Sequence, residues 1–288
     1  LRRFLTIYTA GDGWRGSAAG LLQRGLQRFG VSQFLEEAAL GEQEGPVILL
    51  RSDAALDAPL LKALAEAPGV VLLSNGDPAG LPLAVHAPAG LAAAAVEVLR
   101  GETTAALPAG LRAVTGDQLG ASYWEALRKR EEPYALLVRP DKLEAVEWRM
   151  FMGTYKGATD LVTKWLWPRP AFHATKLCAR FGITPNQVTA VSLLLTIAAF
   201  YWFWEGNWLA GLLAAWGMTF LDTVDGKLAR ITLQSSKWGN VFDHGIDLIH
   251  PPFWYWAWAV GLQAGPLAVS DTGLYLMLEV ITGLPHHR

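Results

Sequence analysis

The stretch Asp222-Thr223-Val224-Asp225-Gly226-Lys227-Leu228-Ala229-Arg230, followed eight residues later by Gly239-Asn240-Val241-Phe242-Asp243-His244-Gly245-Ile246-Asp247, sits between strongly apolar runs. If both segments are helical, Asp222 and Asp225 are three apart on one helix and Asp243 and Asp247 four apart on the next. Each pair then projects from one face. Inside a bilayer a carboxylate costs about 2.5–3.5 kcal/mol, so four of them call for a cation. Hard oxygen ligands with no Cys or His pair beside them favour Mg²⁺, Mn²⁺ or Ca²⁺ over Zn²⁺; His244 falls off the face that Asp243 and Asp247 share.

The 288 residues are 52% hydrophobic and 17% charged, enough for two domains and too apolar for a fully soluble one. The apolarity is uneven. Up to about Pro140 the chain mixes charge, glycine and short apolar runs. Beyond it lie Ala190–Trp204 and Trp208–Leu221, and ten of the 13 tryptophans follow Asp160. Trp202, Trp204 and Trp208 cluster where an aromatic belt would meet a membrane face. A formal net charge of −2 gives no electrostatic case for nucleic acid. The single cysteine, Cys178, rules out an intramolecular disulfide and fits a reducing compartment. No secretory signal peptide stands at the start, and Leu1 in place of Met reads as a trimmed beginning.

Three membrane spans are expected, over about Gln187–Trp204, Trp208–Leu228 and Val241–Leu262, with Leu274–Leu284 opening a fourth. Lys164, Arg169, Lys176 and Arg180 precede the first span, and Lys227, Arg230 and Lys237 lie between the second and third. The positive-inside tendency makes both stretches cytoplasmic and puts the Glu205-Gly206-Asn207 turn outside. Both carboxylate pairs then sit at one depth, at the cytoplasmic ends of neighbouring spans.

Ahead of the spans, strand-like Leu5–Tyr8, Val47–Leu50, Val70–Leu73 and Tyr134–Val138 alternate with helix-like stretches ending at Phe29 and over Ala58–Ala67 and Leu91–Leu99. This predicts a layered α/β domain with a largely parallel sheet. Asp53, after the buried-type strand Val47–Leu50, reads as a turn or N-cap residue, with a metal or nucleotide contact as the alternative. Asp141–Trp167 reads as one amphipathic helix lying on the cytoplasmic membrane surface or against the helical bundle, broken by Pro168 and Pro170. A short helix over Ala174–Phe181 follows. Thr184 can cap the first span with Pro185 in its first turn.

The pattern D222-x2-D225-G226-x2-A229-R230-x8-G239-x3-D243-x3-D247 resembles the signature of the CDP-alcohol phosphotransferase (CDP-alcohol phosphatidyltransferase) family, with all eight fixed positions matched. Thr184-Pro185-Asn186-Gln187-Val188-Thr189 is similar to the start of that family's first transmembrane helix. The resemblance implies an integral-membrane transferase of phospholipid or related lipid biosynthesis, its active site and N-terminal domain facing the cytoplasm. It would move a substituted phosphate from a CDP-linked donor to an acceptor alcohol and release CMP. CDP-diacylglycerol with a polar acceptor such as an inositol or glycerol phosphate is the favoured pair, and a soluble CDP-alcohol such as CDP-inositol the alternative. It further implies two divalent ions, Mg²⁺ or Mn²⁺, on Asp222, Asp225, Asp243 and Asp247, with Asp247 as general base. Gly226 and Arg230 would meet phosphate, Asn186 and Thr189 would lie near the cytidine pocket, and Ala229 and Gly239 would supply space beside the site. A homodimer is expected too.

The expected organisation is therefore multi-domain. An α/β domain over residues 1–140 resembles a nucleotidyltransferase-like domain, although the glycine-rich nucleotide loop with its basic residue is absent. A helical connector covers 141–183, and a transmembrane all-α domain covers 184–288, truncated at its C-terminus, with about three and a half of the six helices that the family implies. Two other classes compete: a cation transporter, and an inactive scaffold. A cation path has no use for Arg230 fixed beside its acids, whereas a pyrophosphate site does. An intact signature argues against the scaffold.

Overall fold

The computed structural model describes residues 3–6, 12–13, 16–31, 33–35, 45–51, 53–75, 80–101, 107–120, 123–124, 129–156, 160–234 and 237–264. The chain divides into two compact units: Leu1–Lys164 with Ile231–Leu233, and Trp165–Arg230 with Gln234–Arg288.

In the first unit the strands are β1 (Arg3–Thr6), the hairpin β2 (Asp12–Gly13) and β3 (Gly16–Ser17), β4 (Gln33–Leu35), β5 (Val47–Leu50), β6 (Ala54–Leu56), β7 (Val70–Leu73), β8 (Pro82–Ala87), β9 (Arg112–Val114), the pair β10 (Tyr123–Trp124) and β11 (Lys129–Arg130), and β12 (Ala135–Leu137). The helices are α1 (Ala18–Arg28), α2 (Ala58–Glu66), α3 (Ala92–Arg100), the single turn α4 (Gly116–Leu119) and α5 (Leu143–Gly153). Six strands form one sheet in the order β4-β1-β5-β8-β7-β9. All residues of β5 are buried because both faces are covered. Ile48 and Leu50 pack with Leu22 and Leu26 of α1 and with Leu60, Leu61 and Leu64 of α2. Val47 and Leu49 pack with Ala95, Val96 and Leu99 of α3. The layered α/β expectation holds here.

The sheet is mixed. β8 runs antiparallel to both β5 and β7, while β1–β4, β1–β5 and β7–β9 are parallel. The connection from β7 to β8 is too short for a crossover, and a short connection leaves only the antiparallel arrangement. The sequence reading missed β8 although it is central and wholly buried. Pro82 and His86 disguised it: Pro82 takes the first position of the strand, where a missing N–H is tolerated, and His86 Nδ1 is 2.8 Å from the Leu64 carbonyl.

Asp53 is not an N-cap. Its carboxylate receives both Nε and an Nη of Arg51 at 2.9 Å, and the cap of α2 is Asp57, whose Oδ1 accepts from the Ala58 amide. Nor is Asp141–Trp167 one helix. A 3-10 turn at Pro140–Lys142 leads into α5, which ends at Gly153 where Thr154 turns its hydroxyl onto the Phe151 carbonyl, and a separate α6 (Leu161–Trp165) follows. α5 buries Val146, Phe151 and Gly153 and sets Arg149 over the Tyr134 ring. Burial, reinforced by the Asp57 charge, raises Tyr134 well above the usual tyrosine range, and burial pushes Tyr155 up to about 12. A raised value keeps both phenols neutral across the ordinary pH range.

The second unit continues with α7 (Pro168–Phe181), α8 (Pro185–Trp204), α9 (Trp208–Ile231) and α10 (Lys237–Ala264). The expected break stands directly before Pro168, and Pro168 and Pro170 begin α7 there rather than at Ala174, because a first helical turn needs no proline N–H. Cys178 on α7 is half-buried, and burial raises its thiol pKa. The expected cap of α8 is present: Thr184 Oγ1 accepts from the Gln187 amide while Gln187 Oε1 accepts from the Thr184 amide. Gly206, at φ 71°, turns the chain into α9.

Along α8 the buried positions are Val188, Thr189, Ser192, Thr196, Ala199 and Phe203, a seam of alternating three and four residues. Ser192 Oγ donates to the Met218 carbonyl of α9, and Trp254 Nε1 of α10 donates to the Thr196 carbonyl at 3.0 Å. Gly261 brings α10 against the Phe203 carbonyl, where any Cβ would collide at 1.9 Å. Beyond the seam, Leu194, Ile197 and Tyr201 of α8, Leu209 and Leu213 of α9, and Leu248 and Trp256 of α10 are exposed. α10 runs on through Pro251 and Pro252, which withhold amides from the carbonyls of Asp247 and Leu248.

The three helices occur where spans were expected. Among the described residues, α8 alone is long and apolar enough to cross a membrane, with mean hydropathy 1.5. The charges that α9 carries near its end dilute its apolarity, and α10 opens on a polar stretch. The fourth expected span, Leu274–Leu284, lies outside the described residues.

Candidate active site at the α8–α9 seam

α9 carries Asp222, Asp225, Gly226, Ala229 and Arg230 on its last turns. Its packing side runs through Ala214, Met218, Val224 and Leu228, and Asp225 lies among these positions, only 4% exposed. Asp222, one turn earlier, is half-buried. Two carboxylates three apart thus share a face, one of them inside the helix packing.

A buried carboxylate requires hydrogen-bond donors. α8 supplies one: Thr189 Oγ1 stands 2.6 Å from Asp225 Oδ2, the short separation of a hydroxyl donating to an anion. Asn186, three residues earlier, is exposed. The pair Asn186 and Thr189 is thereby divided, one outward and one inward.

Gly226 lies inside the helix, near its end, where glycine costs up to about 1 kcal/mol relative to alanine. Among the described residues, the atoms nearest to a Cβ there would be those of the Arg230 guanidinium, the first at an ordinary 3.5 Å. The space over Gly226 is bounded by a cationic plane and follows directly on Asp225 in the chain. Arg230, half-buried, also lies in the last turn of α9, where the helix dipole favours a cation. Lys227 is packed inside the structure, 4% exposed.

The backbone of α10 carries Gly239, Asp243 and Asp247; the side chains of Asp243 and Asp247 lie outside the described residues. Among the described residues no three Asp, Glu, His or Cys side chains converge. The donor chemistry of Asp222 and Asp225, hard oxygens with one carboxylate desolvated, suits a hard divalent cation.

The hydroxyls of Ser192 and Thr196 were missed by sequence reasoning. The signal was there: Thr189, Ser192 and Thr196 recur at helical spacing in an otherwise apolar run, the pattern of small polar residues that bind membrane helices together.

α8 and α9 turn apolar side chains outward and place hydroxyls and the Asp225 carboxylate on their seam. Residues 182–282, about a third of the chain, match the CDP-alcohol phosphatidyltransferase family. Over 80 residues it is 45% identical to the archaetidylinositol phosphate synthase of Pyrococcus horikoshii, an alignment covering 27% of this chain and 42% of the relative. The chain thus spans less than half the length of that relative.

Proposed function

We propose that the chain is a membrane transferase that moves a substituted phosphate from a CDP-linked lipid to an acceptor alcohol, with an inositol phosphate as the favoured acceptor. The acceptor oxygen forms a bond to the lipid-bearing phosphorus, the bond from that phosphorus to the bridging oxygen breaks, and CMP departs with the bond's electrons. The acceptor proton passes to Asp247. Asp222, Asp225, Asp243 and Asp247 would hold two divalent ions, Mg²⁺ or Mn²⁺. When bound, these ions neutralise the pyrophosphate and the charge that develops on CMP. Arg230 would offer a planar pair of donors to a phosphate oxygen.

The observation that carries this reading is Gly226, a glycine inside a helix whose added Cβ would stand at ordinary contact distance from the Arg230 guanidinium, next to a buried acid. The space suits a phosphate. The name of the P. horikoshii relative, a synthase of an inositol phosphate lipid, supports the lipid donor and the acceptor class. Membrane embedding is supported by α8 and by the outward apolar side chains of α8, α9 and α10.

The test measures CMP release by the full chain from CDP-diacylglycerol, CDP-archaeol and CDP-inositol, each with inositol phosphate or glycerol phosphate, with and without chelator. Asp225→Asn, Asp243→Asn and Asp247→Asn should each reduce release by about 100-fold or more, since outer-shell partners of a metal alone are worth about 10–100-fold. Undiminished turnover in any of the three, or with chelator, would sink the site assignment.

A further inference from the structure

We infer that Thr189 is a positioning residue for Asp225: its hydroxyl, reaching across from α8, fixes the rotation of that carboxylate and so tunes how the α9 acids hold a divalent cation. The inference rests on the transfer reading above and goes beyond it, by giving Thr189 a partner in the protein rather than in the nucleotide.

Thr189 Oγ1 is within reach of two acceptors, the Pro185 carbonyl at 3.1 Å and Asp225 Oδ2 at 2.6 Å. A hydroxyl has one proton to donate. The Pro185 carbonyl already lies in the α-helical ladder, four residues before the Thr189 amide, so it is satisfied without the hydroxyl. The proton therefore goes to the nearer and anionic oxygen. Both partners are buried, which protects the bond from competing water and makes it worth more than a surface contact.

The platform under Thr189 is rigid. The capping box of Thr184 and Gln187 with Pro185 fixes the first turn of α8, and Thr189 lies one turn further on. Its β-branched side chain has few rotamers within a helix. On the other side, Asp225 belongs to the packed face of α9 between Val224 and Leu228, both fully buried. A carboxylate held at Oδ2 from an independent helix cannot rotate freely about its own stem. Hydrogen-bonded outer partners of this kind orient metal ligands, and losing one weakens metal binding or activity about 10–100-fold.

The test uses the full chain in detergent and Mn²⁺ as probe, read by calorimetry or by the loss of the free-ion electron paramagnetic resonance signal. Thr189→Val keeps the shape and removes the hydroxyl; Thr189→Ser keeps the hydroxyl. The Mn²⁺ dissociation constant should rise about 10–100-fold in the first and stay within about 3-fold in the second. In the transfer assay Thr189→Val should lower kcat while leaving the donor KM near wild type, whereas a direct nucleotide contact would raise that KM. Wild-type affinity in Thr189→Val overturns the inference. If Thr189→Val fails to fold, an equal loss of Mn²⁺ binding in folded Thr189→Ser overturns it instead. A wild-type chain that binds no Mn²⁺ removes the metal reading and this inference together, while CMP release that Thr189→Val leaves unchanged removes the inference alone.

Discussion

β5 and α8 solve opposite problems with similar residues. β5 is four apolar residues, each buried under helices on one face of the sheet or the other. α8 is also rich in apolar residues, yet Val191, Leu194, Ile197 and Tyr201 are exposed while its seam takes in Thr189, Ser192 and Thr196. Among residues of described burial, every exposed large apolar side chain lies at or beyond Leu161. The first unit hides its apolar side chains as water requires; outward apolar side chains with hydroxyls on the seam are the pattern that the proposed membrane setting calls for, where packing and hydrogen bonds between helices hold the structure together. The buried charges differ in the same sense. Asp53 is closed off by the guanidinium of Arg51, an architectural pair, and Asp225 is met by a hydroxyl from a neighbouring helix.

The largest test of that contrast is Arg51→Met. Side-chain exposures of 8% for Arg51 and 17% for Asp53 mark a pair shielded from water. Leaving Asp53 alone should cost about 3–5 kcal/mol, read as a fall in the denaturation midpoint, and Arg51→Met with Asp53→Leu should recover most of it. If the double variant is as unstable as the single, the pair is not what Arg51 contributes.

A lysine on the outward face of α8 probes the solvent directly. Leu194→Lys should cost about 2.5–3.5 kcal/mol of membrane insertion if that face meets lipid, measured as the fraction that resists alkaline extraction from vesicles. Unchanged extraction would mean that the outward face of α8 is wet, and the contrast would fail.

Gly226→Ala separates site from scaffold. The added Cβ has room, so the helix should gain about 0.5–1 kcal/mol, while CMP release should fall at least about tenfold because phosphate loses its space. A stabler variant with full turnover would refute the phosphate assignment.

The smallest expected effect concerns Asp160, whose Oδ1 accepts from the Thr163 amide at the start of α6. The side-chain and backbone hydrogen bonds of Thr163 hold this carboxyl below its usual 3.8. A depressed folded-state value means that the stabilisation is present above the unfolded value and is lost as pH falls through the folded one. Asp160→Ala should therefore cost about 0.5–1 kcal/mol of helix stability at neutral pH and nothing at a pH below both values. A loss that persists in acid would show that capping by the carboxylate is not its origin.

Much of this architecture was legible because its signals are local. Thr184-Pro185 with Gln187, the apolar runs and the Gly206 turn placed α8 and α9, and Asp57 ahead of Pro59 could have shown the cap of α2. What escaped depends on partners distant in sequence. β8 is a strand because β5 and β7 flank it, not because Pro82 or His86 favours one. The end of α5 at Gly153 reflects its packing against Tyr134, a contact that helical periodicity cannot see. In the site, the shared face of Asp222 and Asp225 followed from spacing alone. The Thr189–Asp225 bond did not, since it needs the register between two helices.

The two prolines of α10 give that helix a mechanical character of its own. Below them, Trp254 is tied to the Thr196 carbonyl and Gly261 lies against Phe203; above them is the segment with Asp243 and Asp247. The prolines withhold two successive amides at the Asp247 and Leu248 carbonyls, so the helical ladder that joins the acid-bearing segment to the anchored one lacks two rungs where they meet.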